Sequence, residues 1–326
     1  MTSAFTSSSS AFKPLTYSMN VKATVLPLLI SLCHQGALFA QTIPKDELVF
    51  LTSEWKGDRF ADGRPKIADA LVQRAKKIGL DDAWTVLKNE GYTNQFEGGW
   101  KTVNDVPVVG RAVTAQFMPS RPDVEKAIKE RGISQQGRKG NTNAWPIETL
   151  KKGDVYVADG FGKIGGGTLM GATLGNAIYS KTGNGVVFNG AARDLQELQN
   201  ISGFNAFVRD FHPSFLESMV LTGLNTPIRI GNAIALPGDL VIAQREGVLF
   251  VPAHLAEQVI STCEFVLRKD QFGFETVKSG RYTTGQIDSQ WTDDIKADFL
   301  NWLGGHPELG AMTKGELDKM MSKRTW

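Results

Sequence analysis

Two stretches of this chain carry residue types able to do chemistry together. The first is Gly165-Gly166-Gly167-Thr168-Leu169-Met170-Gly171-Ala172-Thr173, a glycine run that opens a helix. Free backbone N–H groups and the helix dipole attract a carboxylate or phosphate to such a place, and glycine lets a ligand approach the backbone closely. A tight turn holding no ligand has the same spacing, and spacing alone weighs the two equally. No Gly-Lys-Ser/Thr follows, so the run is not a P-loop, and it fits the dinucleotide fingerprint poorly. The second stretch is Asn189-Gly190-Ala191-Ala192-Arg193-Asp194. An Arg beside an Asp at the end of a strand can hold an anion with one side chain and a divalent metal with the other. A local salt link or a helix cap accounts for the same pair and, on the pair alone, is the commoner case. Asp159, Asn189, Glu197 and Glu246 are further polar candidates. His212, in Arg209-Asp210-Phe211-His212-Pro213, has the pKa range for acid–base work, although a structural imidazole is the more frequent role.

The elements that must position these groups follow from periodicity. Asp154 to Gly160 reads as a short strand entering the glycine turn, residues 172–181 as a helix ended by Gly183 and Gly185, and Val186-Val187-Phe188 as a buried strand. Asn189-Gly190 then turns the chain, and Leu195 to Leu198 starts another helix. This is a βαβ unit with a parallel strand pair. Upstream, Pro65 to Ala75 and Asp81 to Asn89 have helical apolar spacing. Val106 to Phe117 is β-rich, Val124 to Lys129 a short helix, and residues 132–145 a polar loop. Downstream, residues 206–209, 228–230, 240–243 and 248–251 are short apolar strands separated by turns. His254 to Leu267 is a helix with Leu255, Val259, Cys263 and Val266 on its apolar face. In the tail, Thr292 can cap a helix striped by Ile295, Phe299, Trp302 and Leu303, and Thr313 to Glu316 forms a capping box. Many strands around few helices imply a layered α/β core.

Composition bounds the partners. Lys plus Arg number 36 against 34 for Asp plus Glu, so no basic field is available to bind a nucleic-acid backbone. There are two cysteines, Cys33 and Cys263, and neither has His or Cys at zinc-ligand spacing. Residues 1–18 are Ser- and Thr-rich. Met19-Asn20-Val21-Lys22, the apolar run Val25 to Leu32 broken by Pro27, and Ala37-Leu38-Phe39-Ala40 before Gln41 have the parts of a cleaved signal peptide. Periplasmic or secreted location is therefore expected, and the run is too short to span a bilayer. The resulting division is a leader over 1–40, an α/β domain over 41–267 and a helical extension over 268–326.

At this point the motifs resemble the RraA-like family, which includes regulators of ribonuclease activity and 4-hydroxy-4-methyl-2-oxoglutarate aldolases. Gly153 to Gly160, Gly185 to Asp194, Pro237 to Ala243 and Glu246 to Pro252 carry the resemblance, with Ile67 to Leu71 and Val109 to Thr114 as its early segments. It spans about residues 65–265. The resemblance implies a swivelling β/β/α fold, assembled as a homotrimer or homohexamer with sites between subunits. It implies that Arg193 binds a substrate carboxylate, that Asp194 ligates Mg²⁺ or Mn²⁺, and that Gly171, Ala172, Thr173 and Leu174 supply backbone N–H groups to the substrate. The activity implied is metal-dependent carbon–carbon cleavage of a 2-oxo acid or sugar-derived carboxylate through an enolate. A non-catalytic trimeric binding protein is the alternative. One position departs from the aldolases: where they carry an Asp twenty-one residues before the Arg, this chain has Ala172. A methyl group can neither orient water nor accept a proton.

Overall fold

The computed structural model describes residues 42–322, so the leader expected over 1–40 lies outside the described residues. Among the described residues there are twelve strands: β1 (Phe96–Glu97), β2 (Lys101–Thr102), β3 (Val108–Pro119), β4 (Asp154–Asp159), β5 (Thr168–Met170), β6 (Val186–Ala192), β7 (Ala206–Phe211), β8 (Met219–Leu224), β9 (Ile228–Ile230), β10 (Ala233–Ala235), β11 (Leu240–Gln244) and β12 (Gly247–Val251). The helices are α1 (Lys45–Leu51), α2 (Asp69–Ala75), α3 (Leu80–Asn89), α4 (Pro122–Gln136), α5 (Ala172–Thr182), α6 (Leu195–Gln199), α7 (Ala256–Lys278), α8 (Thr284–Ile287), α9 (Asp293–Gly304) and α10 (Lys314–Met321).

Alternation along each strand sorts the side chains into two layers of core. The mixed sheet runs β1-β12-β11-β3-β4-β6-β7-β2, with β5 on β6 and β8 on β3. From one face, Val108, Ala112, Val155, Val157, Val187, Val241 and Phe250 pack on Ile228, Ile230, Ala233 and Ala235 of the β9–β10 hairpin. From the other, Val113, Tyr156, Phe188 and Val208 meet Ile178 of α5 and Leu198 of α6, while Leu240, Ile242 and Leu249 meet α2, α3 and α7. Sheet, small sheet and helices make the expected β/β/α layering. β4 and β6 are parallel, with Tyr156 opposite Val186 and Asp159 opposite Asn189, and α5 crosses between them. No helix among the described residues is long and apolar enough to cross a membrane.

Several expectations shift, each for a physical reason. Pro65 to Ala68 are not helical: Pro65 bridges Arg59, and the Lys66 N–H bonds Asp58 O, so the backbone is already committed to the preceding segment. The short helix expected to end at Lys129 runs to Gln136. Gly132 sits inside it because a Cβ there would lie 2.3 Å from the Trp145 ring. The glycine run does not open α5 directly, since β5 intervenes. Asn189 and Gly190 are not a turn but part of β6: Asn189 pairs with Asp159 of β4, and on the β7 side the register shifts between Phe188 and Ala191.

The region after 267 is helical and packed. α7 runs unbroken through position 267 to Lys278. Ile295, Phe299 and Leu303 of α9 are buried with Phe265, Phe272, Trp291 and Leu317, and Trp302 packs against this cluster. The Thr292 hydroxyl accepts the Ile295 N–H, and Thr313 with Glu316 forms a complete capping box. Where α7 passes α3, Asp82 is held up at about 6 by burial and by the neighbouring Asp81 and Asp270, with Lys269 opposing. A carboxyl raised from 3.8 in the folded state keeps a proton that the unfolded chain has released. Stability from this group is therefore present below the unfolded value and lost as pH rises through about 6. Asp82→Asn should raise the melting midpoint at pH 7 and leave it unchanged at pH 3. Equal midpoint changes at both pH values would refute the assignment.

Candidate functional site

The Arg-Asp pair is built where β6 ends. The Arg193 N–H donates to Met170 O (3.1 Å), tying the end of β6 to the end of β5. Asp194 follows in the left-handed region (φ 59°, ψ 44°) and caps α6. A non-glycine residue held there is strained, and such strain concentrates where structure serves a site. The strained turn brings the Asp194 carboxylate to the start of α5, where Oδ2 accepts the Ala172 N–H at 2.9 Å. Gly171 precedes Ala172 in extended backbone that any residue adopts, so its requirement is steric: a Cβ would lie 2.4 Å from Asp194 Oδ2 and 3.0 Å from Arg193 Nε.

All six expected site residues thus come together. Gly171, Thr173, Leu174 and Arg193 line one cleft of about 250 Å³ with Asn141, Asn143 and Phe215. Thr173 and Leu174 lie in the first turn of α5, where backbone N–H groups have no helical acceptor. The Arg193 guanidinium stands 4.8 Å from the centre of the exposed Phe215 ring and 3.9 Å from Asp194 Oδ1. Both charged side chains remain about one third exposed, open to a ligand. Arg193 also lines a second cleft of about 410 Å³, with Asp194, Phe211, His212 and Pro213. Sequence spacing had no signal for Phe215, which reaches the site through the Gly167–Leu216 bridge.

The other polar candidates lie elsewhere. Asp159 is saturated: Oδ1 accepts from Phe161 N and Asn189 Nδ2, and Oδ2 from Gln116 Nε2. Asn189 in turn accepts from Arg209. Glu197 is exposed on α6, and Glu246 is exposed in the β11–β12 turn. Among the described residues no three His, Cys, Asp or Glu side chains form a metal-holding group.

Comparison with known proteins places the chain in a family. An uncharacterized protein of Methanocaldococcus jannaschii is 23% identical over 214 residues, covering 63% of this chain and 93% of that protein. The 4-hydroxy-4-methyl-2-oxoglutarate aldolase of Thermus thermophilus is 30% identical over 107 residues, covering 32% of this chain and 63% of that protein. The structure of Streptomyces coelicolor RraAS2, described as an unusual member of the RNase ES inhibitor RraA protein family, superposes with a TM-score of 0.53 at 22% identity, covering 64% of this chain and 97% of that one. The family model described as RraA-like, Aldolase/RraA, matches residues 65–250. That match takes in more than half of the chain and every residue of the Arg193–Asp194 site, and the chain belongs to the RraA-like family.

Proposed function

We propose that this chain is a divalent-metal-dependent carbon–carbon lyase acting on a 2-oxo acid or a sugar-derived carboxylate. The observation that carries the reading is that Arg193 lines the cleft at the α5 N-terminus while Asp194, its carboxylate on the Ala172 N–H, lines the second cleft that Arg193 shares. A substrate carboxylate there receives the N–H groups of Thr173 and Leu174 and a charge-assisted fork from Arg193. Asp194 fits a Mg²⁺ or Mn²⁺ ion. One oxygen is engaged by Ala172 N–H and the other lies 3.9 Å from Arg193. Such ions accept a single protein carboxylate when water and substrate oxygens complete the shell. Bound there, the ion would supply Lewis acidity toward the 2-oxo group.

Cleavage breaks the bond between the carbon next to the oxo group and the carbon bearing the distal hydroxyl. The bonding pair passes into an enolate, whose charge Arg193 stabilises. The hydroxyl proton leaves to a base as that oxygen becomes a carbonyl, and protonation of the enolate releases a pyruvate-type acid. Assembly as a homotrimer or homohexamer and periplasmic or secreted location belong to the same proposal. Near-zero net charge favours a small carboxylate over nucleic acid as ligand.

Ala172 favours a second reading, a non-catalytic binding or regulatory protein on the same scaffold, because no carboxylate stands there to order water. The test is pyruvate release from 4-hydroxy-2-oxo acids with Mg²⁺ or Mn²⁺, on wild type and Ala172→Asp. The variant should gain about 100-fold, the range of one positioned proton-transfer group. If neither protein releases pyruvate while a small carboxylate still binds, the binding-protein reading replaces the lyase.

A further inference from the structure

His212 belongs to the second cleft, on the Asp194 side of the pair, and its hydrogen bonds define which ring nitrogen carries the proton. The chain leaves β7 at Phe211, and the His212 N–H donates to Ala192 O (2.9 Å), placing the residue beside the end of β6. The Ser214 backbone N–H points at Nδ1 (3.2 Å), so Nδ1 must be an acceptor. The Ser214 hydroxyl accepts the Gly166 N–H (2.7 Å) and lies 2.9 Å from Nδ1, so its own proton is free to go to the ring. Two donors on Nδ1 leave the proton of the neutral ring on Nε2. The Gly166 N–H at the other end of this latch comes from the glycine run, which a plain turn reading leaves without a role. Bare Gly165 lies against the imidazole edge: a Cβ there would sit 3.8 Å from both Cε1 and Nε2.

We infer that His212 is a specificity-determining donor: its Nε2–H donates to an oxygen of the departing half of the substrate in the second cleft, while the first cleft holds the 2-oxo acid half. The inference rests on the lyase reading for the identity of the two halves. The geometry behind it is that Arg193 lines both clefts, whereas Gly171, Thr173 and Leu174 line only the first and His212 only the second. A substrate lying across the pair therefore meets helix N–H groups at one end and the imidazole at the other. Ser214 is a positioning residue that holds the tautomer. The assignment gives His212 a donor role and makes it a poor base, since Nδ1 is occupied and Nε2 is already protonated.

Binding separates this from turnover. Pyruvate represents the first half alone, and 2-oxoglutarate adds a second carboxylate without a cleavable hydroxyl. Calorimetry with Mg²⁺ present would compare the two ligands on wild type, His212→Phe, His212→Gln and Ser214→Ala. His212→Phe should weaken 2-oxoglutarate about 10- to 100-fold, the worth of a hydrogen bond to a charged group, and leave pyruvate unchanged. His212→Gln, which keeps an N–H donor, should recover most of that loss, and Ser214→Ala should show a smaller loss of the same selectivity. Equal weakening of both ligands, or of neither, overturns the donor assignment, as does failure of wild type to prefer 2-oxoglutarate. The selective loss without pyruvate release from any hydroxy-oxo acid upholds the assignment and sinks the lyase reading instead.

Discussion

Asp194→Asn should abolish divalent-metal binding and lyase activity together while leaving the melting midpoint close to that of the wild type. Stability should survive for two reasons. Asn is among the few residues that tolerate the left-handed backbone found at this position. Its side-chain carbonyl can also still accept the Ala172 N–H that now bonds Oδ2. What disappears is the negative charge, and with it the protein's ligand to the ion. Losing Lewis-acid assistance worth several kcal/mol corresponds to a fall in kcat of roughly a thousandfold or more. Asp194→Ala makes a useful contrast, because it loses both the charge and the acceptor for Ala172. Elemental analysis of manganese-loaded protein, pyruvate release and a thermal melt on the same preparation check the three parts. Unchanged metal content and unchanged activity would leave the enzyme reading without its centre.

A comparably large effect, on stability, is expected at Arg64. This side chain is completely buried, with Nη1 and Nη2 each 3.3 Å from an oxygen of the equally buried Asp154, and Nε 2.9 Å from Asp62. Arg64→Leu would leave Asp154 inside the protein with the Lys151 N–H at 2.9 Å and Arg111 Nε no nearer than 3.7 Å. Breaking a buried pair from one side costs about 3–5 kcal/mol because an uncompensated charge remains. At this size that is a fall in melting midpoint of roughly 10 °C. Replacing both partners, Arg64→Leu with Asp154→Leu, removes the stranded charge and should recover most of the loss. A single variant within about 1 kcal/mol of wild type would show that Arg111 already neutralises Asp154 unaided.

What could be read beforehand was local. The β4–α5–β6 unit, the helix over 172–181 and both C-terminal caps announce themselves within a few residues, through periodicity or through a Thr facing its own backbone. The Arg-Asp pair and its glycine-rich neighbour were legible for the same reason, although one strand end and one helix start had to be joined in space. What escaped depends on distant partners. β5 has three residues, and β8 is buried at five of its six, so neither shows an alternating period. Asn189-Gly190 carries a turn signal that the pairing of Asn189 with β4, and of β6 with β7 on either side of a register shift there, overrides. Arg64 lies in a polar stretch, and Asp154, in a strand ninety residues on, explains its burial. The positioning of His212 was hidden likewise, because its latch joins Ser214 to Gly166 across two loops.

The unbroken course of α7 governs how the extension can behave. A linker lets two bodies tumble, melt and be cut apart independently. Here the same 23 residues bury Val259, Ile260 and Cys263 against the sheet layer and Phe272 against the C-terminal aromatics. Unwinding either end withdraws helix that the other end packs upon. The extension is therefore not a passenger on the family scaffold but part of a single cooperative unit. A rigid rod about 34 Å long carries any displacement of one end to the other without a hinge.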